Sequence, residues 1–377
     1  MVSYRYLVVG GGMTGDAVCR GIRDADDEGT IGLVGEEQHA PYKRPPLTKG
    51  LWSGGSEETI WRETAERRVD LRLGRRIVSI DPTAGRATDD AGEEYAYERL
   101  VLATGGTPRR LGGDDGEVVY FRTLDDYRRV RALSDEGKTF LVVGGGFIGS
   151  EIAAALRMQG REVTMVFPEA GIGRRTFPPE LSRFVTDYYR ERGVDVRTET
   201  PFESAAGYDA VVAGLGIVPR TELAEAAGLP VDDGIVVDEY GRVPGFESVF
   251  AAGDVARFPM PALGRVSRVE HEDHANTHGR LVGGNAAGRS DRYEHLPFFY
   301  SDLFDLGYEA VGEVDSRNAL VEHWLEPSRK GVVAFTDGEG RPRGFLLWNV
   351  WDRVDAAREL IRAAQPIGEE ALRELAG

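Results

Sequence analysis

The sequence predicts an α/β protein in which one strand–turn–helix unit is built twice and followed by an α+β segment. Three observations carry that prediction. The apolar run Tyr6-Leu7-Val8-Val9 leads into Gly10-Gly11-Gly12-Met13-Thr14-Gly15. A second run, Phe140-Leu141-Val142-Val143, leads into Gly144-Gly145-Gly146-Phe147-Ile148-Gly149. Each turn reads G-x-G-x-x-G, and in each case an acid follows the next apolar strand, Glu36 in the first and Glu169 in the second. A glycine-rich turn lets backbone N–H groups approach a pyrophosphate, and the helix N-terminus behind it adds a favourable dipole. The acid downstream grips a ribose hydroxyl. Two such Rossmann-like units imply two dinucleotides, and the usual pair is a flavin and a nicotinamide.

Taken in order, residues 4–9 read as a strand and 13–24 as a helix with Ala17, Val18 and Ile22 on one face. Residues 31–34 form the next strand, and 40–49 a proline-rich turn. Strand-like stretches at 69–80 and 93–103 lead into Ala103-Thr104-Gly105-Gly106, and residues 113–122 read as a crossover between domains. The second series then predicts a strand at 138–143, a helix at 147–159, a strand at 162–167, a helix at 179–192 and strands at 194–198 and 208–213. Val249–Asp254 closes a further strand, 270–287 is helical, and from about 296 short aromatic strands give way to a terminal helix from 352. The paired glycine units make one long-period duplication.

At 377 residues the chain has room for two or three domains with substantial cores. No apolar run approaches the ~20 residues of a membrane span. A strand begins almost at the first residue, so no signal or transit peptide is expected. Cys19 is the single cysteine, which excludes an internal disulfide or redox dithiol and accords with a cytoplasmic protein. The net charge is −17, and lysine occurs only at positions 43, 49, 138 and 330. Such a surface argues against nucleic acid and anionic membrane as partners. It is compatible with a saline habitat or with a GC-rich genome.

Several side chains carry chemistry on this reading. A carboxylate at Glu169 accepts ribose hydroxyls and repels a 2′-phosphate, which favours NAD, while Arg174 and Arg175 just beyond keep NADP open. Asp254 can bond the sugar-like chain of a flavin or cap the next helix. The N-terminus of the helix at 270–287 can stabilise an anionic reduced ring. Lys49 suits a charge partner near flavin N5, with Glu151 as its counter-ion; the plain alternative is an exposed lysine and an exposed helical glutamate. His271, His274 and His278 form the densest histidine cluster, yet without cysteine support a ring-contacting His271 is favoured over a metal site. No metal is expected. Phe298, Phe299, Tyr300, Trp348 and Trp351 are most simply core or interface residues, with Tyr300 able to stack on a cofactor.

The stretches PYKRPPLTKGLW, LATGGTPR, GGGFIGSEIA, VFPEAG, FAAGDVARF, RVEHEDHANTHGRLVGGNAAG, FFYSDLFDLGYEAVGEVDS and GFLLWNVWDR occur in this order from residue 7 to about 353. In them the chain resembles the apoptosis-inducing-factor-like branch of the ferredoxin reductase flavoproteins, within the two-dinucleotide-domain family that includes glutathione reductase. The resemblance implies FAD contacts at Gly10 to Gly15 (with Gly11, Gly12, Met13 and Thr14), at Glu36, Glu37, Arg44 and Lys49, and on a strand near Val78. It adds Ala103, Thr104 and Gly105, then Arg122, Asp254, His271 and Glu272. It implies NAD contacts at Gly145, Gly146, Phe147 and Ile148, at Glu169, Arg175 and Gly216, and at Glu309 and Asn349. Lys49, Glu151 and His271 are the implied catalytic groups, Phe147 would gate the nicotinamide face, and Tyr300 would sit at the ring. Tyr300 stands where an indole is usual. The long C-terminal insertion, targeting segment and basic surface of the animal protein are missing, and so are the cysteines of disulfide reductases.

The expected architecture is therefore a glutathione-reductase-type pair of Rossmann-like domains plus a C-terminal domain. Residues 1–121 and 246–295 are assigned to FAD, 122–245 to NAD(P), and 296–377 to an α+β interface domain. The expected activity is an FAD-dependent NAD(P)H oxidoreductase. NADH would pass a hydride to flavin N5, and the electrons would leave for ferredoxin, rubredoxin, quinone or oxygen. An acidic ferredoxin would need a local arginine patch on this acidic chain. The alternative is an NADH-responsive redox sensor with slow turnover and ligand-linked dimerisation, so a homodimer is also open. A flavin-free scaffold is a third reading.

Overall fold

The structure is a computed structural model and describes residues 1–112 and 118–377. The chain forms two compact units. One comprises residues 1–43, 56–107 and 218–297; the other comprises 44–55, 108–217 and 298–377.

The first unit is organised by the sheet that contains Val2–Val9. This strand is parallel to Ile31–Gly35 on one side and Glu94–Leu102 on the other. Val69–Leu73 and Phe246–Ala251 extend the parallel set, and Arg242–Val243 adds an antiparallel edge. The central strands read as continuous apolar runs because both faces are covered. Tyr6, Val8, Leu33 and Val101 pack with Val18, Ile22 and Val282 in one core. The helices Met13–Ala25 and Glu272–Ala286 touch backbone to backbone: a Cβ at Gly21 would strike the Arg280 carbonyl, and one at Gly283 the Val18 carbonyl. The stretch expected as two strands at 69–80 and 93–103 resolves into four, Val69–Leu73, Ile77–Asp81, Arg86–Asp89 and Glu94–Leu102. Turns at Gly74 and Gly85, both at φ +65°, break the run.

The second unit repeats the pattern. Its parallel sheet runs Asp195–Arg197, Val163–Val166, Phe140–Val143, Ala210–Ala213, Val118–Tyr120. Of the crossover expected at 113–122, residues 113–117 lie outside the described residues, and Val118–Tyr120 is the edge strand of this sheet. A helix at Leu124–Asp135, not foreseen from apolar periodicity, starts on a capping box between Thr123 and Asp126. Residues 298–377 group here as well. They form an antiparallel sheet of Phe298–Leu303, Leu306–Gly312, Pro342–Trp348, Lys330–Thr336 and Ala319–Glu326, followed by two helices, Val354–Ala363 and Glu369–Ala376. Among the described residues no helix is long and apolar enough to cross a membrane.

Candidate functional site

In both units the predicted residues gather at the carboxyl ends of parallel strands, where open α/β sheets bind ligands. In the first unit Gly10–Gly15 follows Val2–Val9, Glu36 and Glu37 follow Ile31–Gly35, Ala103–Gly105 follows Glu94–Leu102, and Asp254 lies in the short turn Gly253–Val255 after Phe246–Ala251. Gly10 holds φ +124°, and a Cβ there would strike the Ala103 carbonyl. A Cβ on Gly15 would strike the Gly10 carbonyl. The turn is thus wound too tightly for any other residue. Gly12, which has no side chain to cap the helix, sits at its N-cap and leaves first-turn N–H groups for a ligand. Thr14 lies against Gly253, whose N–H donates to His278 Nδ1 at 3.2 Å.

The other residues of this unit implied for FAD make the following contacts. Glu36 is ion-paired with Arg220, whose backbone is fixed by Gly105 and Thr104. Glu37 accepts from the Tyr42 hydroxyl at 2.5 Å. His271 caps the helix that starts at Glu272, and burial pushes its imidazole down to about 4, so it is neutral at physiological pH. Among the described residues no group of three or more potential metal ligands gathers around His274 and His278. Their rings stack 4.7 Å apart, over Phe258, and both are held neutral by burial. Val78 stands exposed at a bulge of the Ile77–Asp81 hairpin.

The second unit carries the same turn. Gly144 holds φ +116°, and a Cβ on Gly149 would strike the Gly144 carbonyl. Gly146, the N-cap of the helix Phe147–Met158, faces open space. Glu169 follows Val163–Val166 and pairs with Arg175 at 3.2 Å. Gly216 (φ +78°) follows Ala210–Ala213. Arg122 follows Val118–Tyr120, and its carbonyl accepts from Arg44 at 2.7 Å. Phe147 and Ile148 are exposed, and the Phe147 ring meets Phe299 edge-on at 5.1 Å.

Glu151, one turn into that helix, is 4% exposed. Lys49 Nζ lies 2.5 Å from its Oε1, so the solvated alternative for this pair does not hold. Two hydroxyls missed by sequence reasoning complete the cluster. Ser301 donates to Oε1 at 2.6 Å and Thr48 to Oε2 at 2.5 Å. Thr48 is adjacent to the lysine that composition singled out, and Ser301 lies within FFYSDL, so both stood in view without a spacing rule to select them. A carboxylate this deep is tolerable only with donors on both oxygens. The Tyr300 ring lies 5.2 Å from Lys49 Nζ, a cation–π distance.

Glu309 lies within the strand Leu306–Gly312 of the C-terminal sheet, and Asn349 directly follows Pro342–Trp348. Burial pushes the Glu309 carboxyl up, and its buried Oε2 meets no partner among the described residues. Such an atom is what an incoming amide would satisfy. Asn349, at φ +51°, is used by the fold: Oδ1 accepts from Gly307 and Nδ2 donates to the Arg329 carbonyl, both at 2.8 Å. Cys19 is buried, which pushes its thiol up and out of thiolate chemistry.

The profile of the pyridine nucleotide-disulphide oxidoreductase family matches residues 4–279. The ferredoxin–NAD(+) reductase component of the anthranilate 1,2-dioxygenase system of Burkholderia cepacia is 35% identical, over 95% of this chain and 94% of that one. The mitochondrial apoptosis-inducing factor 1 of Dictyostelium discoideum is 28% identical, over 95% of this chain and 78% of that one. Among solved structures, the covalent putidaredoxin reductase–putidaredoxin complex superposes with a TM-score of 0.90 at 28% identity, covering 100% of this chain and 96% of that chain.

Proposed function

Because the chain belongs to the pyridine nucleotide-disulphide oxidoreductase family and is an FAD-dependent NAD(P)H oxidoreductase, we propose that it draws electrons from NADH and delivers them to a ferredoxin or rubredoxin in the cytoplasm. In place of the expected boundaries at 121 and 245, the unit of residues 1–43, 56–107 and 218–297 serves FAD, the parallel sheet spanning 118–213 serves NAD(H), and 298–377 form the interface domain. When bound, the flavin accepts a hydride from the nicotinamide and releases the electrons one at a time. The chain's own residues bind, orient and tune. Gly10–Gly15 and Gly144–Gly149 present backbone N–H groups to the two pyrophosphates. Glu36 and Glu169 take the riboses. Lys49, held by Glu151, places a positive charge where the reduced ring gains negative charge. His271, neutral at working pH, contributes a hydrogen-bonding edge rather than a charge. Glu309 orients the nicotinamide amide, and Phe147 screens its face.

The observation that carries this reading is the Lys49–Glu151 pair, formed by residues 102 apart in sequence and enclosed by two further hydroxyl donors. The test is anaerobic reduction of the flavoprotein by NADH and by NADPH, followed by turnover with ferredoxin, rubredoxin, quinone and oxygen as acceptors. Fast bleaching by NADH with best turnover on an iron–sulfur or rubredoxin acceptor supports the proposal; turnover on oxygen alone overturns it. The redox-sensor alternative, with ligand-linked dimerisation, has the weaker support, since the apoptosis-inducing factor relative is 28% identical and the ferredoxin reductase relative 35%. It predicts slow turnover and a persistent long-wavelength band.

A further inference from the structure

We propose that Thr48 and Ser301 are positioning residues that fix the plane of the Glu151 carboxylate, and through it the place of the Lys49 ammonium. This rests on the reading that the Lys49–Glu151 pair serves hydride transfer. Side chains at adjacent positions diverge by about 100° in a helix and about 180° in a strand, so neighbours do not normally share one acceptor. Thr48 and Lys49 do share one. The backbone kinks at Lys49 (φ −127°, ψ −100°) between the short turns Pro45–Leu47 and Gly50–Trp52, and the kink turns both side chains onto Glu151. The kink is braced from three sides. Trp52 Nε1 donates to the Leu47 carbonyl at 2.7 Å, Gln159 donates to the Trp52 carbonyl at 2.8 Å, and Tyr127 donates to the Leu51 carbonyl at 3.3 Å.

The Thr48 hydroxyl has one proton and two acceptors in reach, Glu151 Oε2 at 2.5 Å and the Pro45 carbonyl at 3.3 Å. The shorter, charged acceptor takes it. Oε1 then receives Ser301 and Lys49, and Oε2 receives Thr48, so the carboxylate cannot rotate without breaking a bond on each oxygen. Ser301 donates to the carboxylate, and the neighbouring Tyr300 ring lies beside the ammonium. The fixing matters because the ammonium is paired with this carboxylate at 2.5 Å, so a carboxylate free to rotate would carry Lys49 with it.

The experiment is stopped-flow anaerobic reduction of the holoenzyme by NADH, with flavin content per chain checked for each variant. Thr48→Val and Ser301→Ala should each slow flavin reduction about tenfold, with KM for NADH within about twofold of wild type. Thr48→Ser should restore the rate to within about twofold. The flavin potential, read against a dye, should fall in Thr48→Val, since a displaced cation stabilises the reduced ring less. In a Glu151→Gln background Thr48→Val should add nothing. An equal loss in that background, or no rescue by Ser, overturns the proposal. If Lys49→Met slows reduction while neither hydroxyl variant does, only the positioning role falls. If Lys49→Met leaves the rate unchanged, the role of the pair falls and takes this inference with it.

Discussion

The two glycine turns place the same backbone under different side chains. Aligned on their glycines, Asp16 corresponds to Ser150 and Ala17 to Glu151. In the first helix the buried acid is Asp16, gripped by Arg20 at 2.7 Å, Arg62 at 2.6 Å and Thr64 at 2.6 Å. In the second the buried acid is Glu151, gripped by Lys49, Thr48 and Ser301. One step along a helix turns a side chain by about 100°, which is enough to change its duty. Arg62 continues to Asn276, so Asp16 ties three segments of its unit together. Glu151 instead holds Lys49, the half-buried lysine that the proposed chemistry uses. The residues after the glycines differ too: Met13 and Thr14 are buried, whereas Phe147 and Ile148 are exposed. The turn is the same in both units, and the residues beside it decide which acid is buried and what grips it.

The largest expected effect tests that division. Asp16→Ala leaves Arg62, 10% exposed, without its carboxylate, and should cost about 3–5 kcal/mol in urea unfolding of the holoprotein. Glu151→Gln keeps the shape of its side chain, and Lys49 keeps 15% exposure to water. Its stability loss should be smaller, about 1–2 kcal/mol. Its effect on hydride transfer should be larger, about 10²-fold in the reduction rate. An Asp16→Ala protein that keeps its flavin yet reduces as slowly as Glu151→Gln would erase the contrast.

A second difference is in titration. The first unit buries His274 and His278, and burial holds both below the usual histidine range, His278 at about 3. The folded state therefore binds these protons less readily than the unfolded chain. Stability is full above the unfolded value of about 6.5 and falls as pH drops through the window from there to about 3. At about pH 5 His278 should cost roughly 2 kcal/mol relative to neutral pH, and His274 adds a loss of the same sign. Urea unfolding at the two pH values measures the loss, and FAD release should track it. His278→Asn keeps an acceptor near Nδ1 for the Gly253 N–H and cannot titrate, so it should reduce the slope and leave the parts carried by His271 and His274. An unchanged slope would place the acid-sensitive groups elsewhere.

Legibility followed range. The turns, their strands and their acids were readable because a G-x-G-x-x-G between an apolar run and a helix is a local pattern with a local cause. Lys49 and Glu151 were readable from composition and resemblance. Thr48 and Ser301 were not, because the Ser301–Glu151 contact spans 150 residues and the Thr48 contact depends on the backbone kink at Lys49, which no spacing encodes. The helix Leu124–Asp135 had a local signal in Thr123 and Asp126, but its polar surface hid the apolar stripe. The C-terminal sheet read only as short aromatic strands, since antiparallel register is settled by partners far along the chain.

The smallest effect concerns the two ribose acids, and it probes the parallel most finely. Glu36 is paired with Arg220, whose backbone is anchored at both N–H and carbonyl. Glu169 is paired with Arg175, whose side chain is 88% exposed. The neighbouring Arg174 is turned away, bonded to the Ser316 hydroxyl at 3.1 Å. Removing the second carboxylate frees a mobile guanidinium at the place a 2′-phosphate would occupy, and removes the group that repels it. Glu169→Ser should therefore raise kcat/KM for NADPH about tenfold and lower it for NADH by a similar factor. Arg175→Ala in that background should cancel the gain, because Arg174 is already committed to Ser316. Glu36→Ser should weaken FAD retention and leave the NADH-to-NADPH ratio where it was. If Glu169→Ser does not move that ratio, the second acid does not grip the ribose, and the correspondence between the two turns ends at their glycines.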